Sequence, residues 1–277
     1  FDRHQAEAGQ SGPAFASIVT GTGSATHGIL RHPYFLDESL YTITEAFAGA
    51  GYDVHTWLDH LMASSALHYG QGVPPDHAHA GMLEADSPAF VAILDRLARD
   101  PSYKAFVLTT FTVTHSPYSG DRLDEFCAAY PGQCDIRRDV GRFERDRVTM
   151  QESFLPLAIN HPQTLDRLGM TTSDVEHFAQ SIELLYKAGV YRLDTMFGAL
   201  VDAIDRRGLE AQSVIAFTSD HGEILYRDNA LLLWTHGFQL SPEELGVALM
   251  IRGPGIRPGR FAGVTRAIDD FPTLAGL

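Results

Sequence analysis

The chain has 277 residues, 44% of them hydrophobic and 20% charged, enough to bury one large core or a core with an appendage. Its 35 acidic against 21 basic residues leave a formal charge of −14, which argues against a polyanion-binding surface and so against nucleic acid as a partner. No apolar run reaches the roughly 18 residues that span a bilayer, so no membrane segment is expected in this stretch.

In chain order, "FASIVTG" is a short apolar segment leading to glycines, and "YTITEAFAGAGYDVHTWL" predicts a helix, a glycine stop and a strand. "SPAFVAILDRLARD" predicts a helix that starts at Ser-Pro and buries Phe90, Ile93, Leu94 and Leu97 on one face. The β-rich run "YKAFVLTTFTV" follows and ends at "THSPY". Residues 119–172, rich in charge, Pro and turn formers, predict an irregular excursion over the site. Within it, Cys127 and Cys134 in "CAAYPGQC" could close a small disulfide loop, as suits an exported protein, or remain two thiols. A long amphipathic stretch over 173–207 then precedes the strand "SVIAFTSD". Helix, strand and polar cluster recur, which predicts an α/β fold with a mostly parallel sheet and its functional loops at the carboxyl ends of the strands. Residues 1–277 read as a single catalytic domain. The start at Phe1 and the stop within the apolar "FPTLAGL" predict a piece of a longer chain, truncated at both ends, with any signal or anchor outside it.

Three polar clusters follow apolar runs: "QSGPAFAS", "THSPY" and "TSDHGE", with "WTHGF" a little beyond the last. Taken singly, a histidine or aspartate at a strand end reads as a cap or a satisfied surface group. Their joint occurrence points to chemistry. Asp220 and His221 supply a hard oxygen and a borderline nitrogen, a pair suited to a divalent cation such as Ca, Mn, Zn or Mg, with Gly222 expected to make the turn that brings both to one ion.

"SVIAFTSDHGE", "THGFQLSPEELGVALMIRGPGI" and "VTRAIDDFPTLAGL" resemble the second half of the sulfatase family, within the alkaline phosphatase superfamily. "SGPAFASIVTG" is similar to that family's signature, with Ser11 at the nucleophile and Pro13, Ser17, Thr20 and Gly21 in register, and "THSPY" is similar to its His-x-Pro-Tyr segment. The resemblance implies an alkaline-phosphatase-like three-layer α/β/α sandwich. It implies one divalent metal ion held by Asp220, His221 and Ser11, with Ser11 attacking sulfur or phosphorus while His115 and His236 hold or protonate the ester. Phe15 stands where the family carries an Arg that serves conversion of the nucleophile to formylglycine, so Ser11 is expected to stay serine. "LDHL" replaces the family's Gly-Lys-Trp-His run, removing a second cation from the anion pocket. The first metal-binding strand of the family is expected upstream of Phe1.

These readings converge on a metal-dependent hydrolase of a small-molecule, glycan-linked or lipid-linked sulfate or phosphate ester, in the periplasm or outside the cell. Two alternatives stand beside it: an envelope phosphoethanolamine or glycerophosphate transferase of the same superfamily, and a non-catalytic binding protein on a decayed scaffold. Other polar residues take structural readings. His27 reads as a structural loop residue and Asp194 as a surface or capping group, while Glu223 is offered as the partner that fixes the second nitrogen of His221. His77 and His79 could ligate as a pair, but with no third ligand near in sequence they read as part of a solvated loop.

Overall fold

The computed structural model describes residues 1–31, 33–116, 118–135, 171–225, 236–237 and 240–277. The chain divides into two compact units, the first from Phe1–Thr112, Met196–Gly222 and Gln239–Leu277, the second from Val113–Thr195 and Glu223–Phe238.

The described strands all belong to the first unit. There β1 (Arg3–Gln5) pairs antiparallel with β6 (Gly246–Val247) and parallel with β8 (Val264–Arg266). β2 (Asp53–Trp57) lies between β3 (Ala78–His79) and β4 (Ala105–Thr109), parallel to both. β5 (Ile215–Thr218) pairs antiparallel with β7 (Leu249–Arg252). Parallel pairings thus predominate among the described residues, as the helix–strand rhythm predicts.

Successive side chains of a strand point to opposite faces, and β4 shows what each face meets. Phe106 and Leu108 pack on a cluster that includes Phe15 and Val19 of α1 (Ser11–Thr20) and Ile43 of α3 (Ile43–Gly49). Ala105 and Val107 face the other cluster, built from Trp57, from Phe90, Ile93 and Leu94 of α4 (Pro88–Arg99), and from Leu200 and Ala203 of α6 (Thr172–Asp205). Helices therefore cover both faces of the β3–β2–β4 sheet, which is the middle of three layers.

Local chemistry explains the helix ends. α3 starts at a reciprocal Thr42–Glu45 capping box, and α4 carries proline in its first turn after Ser87. α1 is the apolar "FASIVTG" segment extended back to Ser11; all of its residues are buried, and it stops at Gly21 in the left-handed conformation, φ 63°. A one-turn α2 (Ser24–His27) follows. In the second unit, α5 (Leu123–Ala129) leads into a disulfide between Cys127 and Cys134, the closed-loop reading of "CAAYPGQC". Of the expected excursion over 119–172, residues 136–170 lie outside the described residues.

Candidate active site

Three of the residues singled out by motif meet in the first unit. Ser11 opens α1, the helix end where backbone N–H groups and the macrodipole favour an anion. Asp220 and His221 directly follow β5. Ser11 Oγ lies 3.0 Å from His221 Nε2, and His221 Nδ1 lies 2.8 Å from the Gly222 carbonyl oxygen. A carbonyl can only accept, so the imidazole carries its proton on Nδ1, and the bare Nε2 accepts the Ser11 hydroxyl. The second nitrogen of His221 is thus fixed by the Gly222 carbonyl, the place for which the sequence offered Glu223.

Asp220 completes the group. Its Oδ1 accepts the His221 amide at 3.0 Å, and its Oδ2 lies 3.5 Å from His221 Nε2. Burial alone would raise the Asp220 carboxyl, but the neighbouring His221, the Ser11 hydroxyl beside it, the His221 amide and His60 together hold it below the usual carboxylate range. His60 is a member that the sequence reading missed. It sits in the "LDHL" that replaces the family's lysine run, just beyond the carboxyl end of β2, and its Nδ1 accepts the Met62 amide at 3.3 Å.

Two contacts keep this geometry in place. The Gly222 amide donates to the Glu244 carbonyl at 2.7 Å, and a Cβ on Gly222 would lie 1.9 Å from the Glu243 carbonyl oxygen. Gly222 has no positive φ. Its task is close approach to α7 (Pro242–Leu245), which corrects the turn-making role expected of it. On the other side, the Tyr69 hydroxyl donates to the Gly12 carbonyl at 3.1 Å. Phe15, which replaces the signature Arg, is 5% exposed in the core beside Tyr69, so it offers an anion nothing.

Ser11 Oγ, His221 Nε2 and an Asp220 oxygen are three convergent donors of the kinds a divalent cation takes, so the residues present fit the implied ion. A further set of metal-competent side chains, Asp53, His55 and His77, lies elsewhere in the first unit.

The other two expected site residues meet in the second unit. The rings of His115 and His236 have centroids 5.2 Å apart. His236 Nδ1 lies 3.3 Å from both oxygens of Glu223, whose side chain is 8% exposed. Tyr118 stands beside the same carboxylate; burial first, and then Glu223, hold its hydroxyl well above the ordinary tyrosine value. Burial and Glu223 raise Tyr186 in the same way.

In this α/β chain a hydroxyl at a helix start thus meets an imidazole and a carboxylate at the carboxyl end of a sheet strand. The sulfatase family model matches residues 1–277, and the chain belongs to that family. It is 31% identical over 185 residues to a choline-sulfatase of Rhizobium meliloti, covering 66% of this chain and 33% of that protein. To arylsulfatase K of Gallus gallus it is 29% identical over 97 residues, covering 35% of this chain and 17% of the relative. The chain thus spans a third or less of these curated relatives. Among solved structures, a phosphonate monoester hydrolase from Silicibacter pomeroyi aligns with a TM-score of 0.62 at 18% identity, covering 100% of this chain and 65% of that one. A structure solved with its substrate D-glucosamine-2-N,6-O-disulfate aligns with a TM-score of 0.59 at 16% identity, covering 100% and 69%. These likenesses establish the alkaline-phosphatase-like fold.

Proposed function

We propose that this chain carries the nucleophile of a metal-dependent hydrolase of sulfate or phosphate esters on small molecules or glycans, and that Ser11 works as an unmodified serine through a covalent intermediate. The observation that carries this reading is the convergence of Ser11 Oγ on His221 Nε2 at 3.0 Å, with Asp220 alongside. Ser11, Asp220 and His221 would hold one divalent ion, Ca, Mn, Zn or Mg. When bound, such an ion lowers the pKa of a coordinated hydroxyl and neutralises charge on the non-bridging oxygens of the ester.

The chain's own groups do the rest. The helix start at Ser11 favours the anionic ester, and His221 and Asp220 fix where Oγ points as it attacks sulfur or phosphorus. With Phe15 in the core and no lysine in "LDHL", positive charge near the ester falls to the histidines, His60 among them. His115 and His236 are assigned to holding the ester and protonating its leaving oxygen, with Glu223 positioning the His236 ring through Nδ1. Such proton transfer contributes roughly 10²-fold to 10⁴-fold in rate. The Cys127–Cys134 disulfide favours the periplasm or the cell exterior as the place of work.

The experiment is metal analysis and ester hydrolysis with Asp220→Ala protein. Loss of one equivalent of divalent ion together with activity is expected. An Asp220→Ala variant that kept its full metal content would remove the ion from this site.

A further inference from the structure

A second group of histidines lies on the α4 face of the sheet. Asp53, His55 and Trp57 are alternate residues of β2 and share a face, and parallel pairing places Trp57 opposite His79 of β3. His77, in the turn just before β3, joins them. Asp53 Oδ1 lies 3.5 Å from His55 Nε2 and 3.1 Å from His77 Nδ1. Both nitrogens are shielded from solvent, and neither makes a hydrogen bond among the described residues. Two buried imidazole nitrogens aimed at one carboxylate oxygen, with no hydrogen-bond partner, call for an explanation.

We infer that Asp53, His55 and His77 form a second divalent-metal site, best suited to zinc and separate from the ion of the ester site. Two imidazoles and a carboxylate are a zinc donor set, and ligand atoms of a tetrahedral centre with bonds of about 2.0–2.2 Å lie about 3.3 Å apart. The separations of 3.1 and 3.5 Å bracket that value. The surrounding groups are arranged as ligands require. His55 Nδ1 is 3.2 Å from His79 Nε2; with the ion bound, His55 would donate its Nδ1 proton to His79 and turn the Nε2 lone pair to the metal. The Tyr103 hydroxyl donates to Asp53 Oδ2 at 2.6 Å, holding the carboxylate so that Oδ1 faces the histidines. The His79 ring stacks on Trp57 with centroids 4.0 Å apart. The His55 and His77 rings are stacked, with centroids 4.0 Å apart; coordination turns the His77 ring out of that stack, and its side chain, 25% exposed, has the room. A water would take the fourth position. The ion would clip the segment before β3 to β2, two elements whose ladder is only two residue pairs long.

Zinc binding at micromolar free Zn²⁺, read by equilibrium dialysis and elemental analysis, tests the site apart from activity. Asp220→Ala protein should retain one zinc per chain, and adding His77→Gln should remove it. In the unaltered background, His77→Gln should lower the count by one, an arm that does not depend on the ester site. His79→Ala, which removes the partner of His55 and no ligand, should weaken zinc about 10-fold to 100-fold. Equal zinc content and affinity with and without His77→Gln, or Asp220→Ala protein that takes up no zinc, would overturn the inference. Failure of Ser11 as nucleophile would leave all of these counts unchanged.

Discussion

An added methyl at Gly222 would collide with a backbone oxygen, Glu243 O at 1.9 Å, which no side-chain rotation can relieve. Gly222→Ala should therefore push the β5 end and the Glu243–Glu244 backbone apart, costing about 1–3 kcal/mol in urea unfolding, and carry His221 away from Ser11. A change below about 0.5 kcal/mol, the range of ordinary surface substitutions, would contradict it. This residue also shows where sequence reading stops. Asp220 and His221 were legible because they are adjacent at a strand end, and Ser11 because its signature partners are in register. The use of Gly222 depends on α7, some twenty residues later, whose approach has no local signature. His60 was hidden for a similar reason: it stands where a lysine was being looked for, and only the fold brings its charge to bear on Asp220. His77 and His79 read as a solvated loop until the β2–β3 register supplied Asp53 and His55.

At the scale of elements, amphipathic α4 and the long α6 announced themselves by period, whereas α1 did not, because it is buried on every side and shows no polar stripe. Its packing depends on α2. The Ile29 amide donates to His27 Nδ1 at 3.1 Å, so His27 must donate from Nε2 to Ser17 Oγ, 3.0 Å away on α1. That arrangement exists only for the neutral ring. Burial, partly offset by the Glu7 charge, lowers the His27 pKa below its ordinary 6.5. As pH falls below about 6.5, the unfolded chain takes up this proton before the folded one, so the His27 contribution is intact above that pH and is lost progressively below it. Urea midpoints between pH 5 and 8 should show this decline, and His27→Gln should flatten it; an unchanged slope would remove His27 as its source. In the second unit, α5 and the turn after it bring the Cα atoms of Cys127 and Cys134 to 5.6 Å, deciding a pairing that spacing left open. Cutting so short a loop should cost about 2–3 kcal/mol on the chain-entropy relation. Thiol titration of unreduced, denatured protein should find no free cysteine, and two per chain would refute the bond.

Across the whole molecule, the alternation of Phe106 and Leu108 against Ala105 and Val107 on β4 puts a helical layer on each face of the sheet, and that architecture brings loops far apart in sequence to the strands' carboxyl ends. Family membership was legible because four motifs fall in order along the chain. Composition argues against a polyanion partner through charge alone; what it could not supply was the geometry on which Ser11 is proposed as the nucleophile. That geometry has a direct chemical readout. Protein mixed with excess aryl sulfate or aryl phosphate, quenched in acid during turnover and digested, should yield a Ser11 peptide with the mass of serine, part of it carrying one sulfuryl or phosphoryl group. A peptide with formylglycine at position 11, or one never modified while ester is consumed, would contradict Ser11 as an unmodified nucleophile.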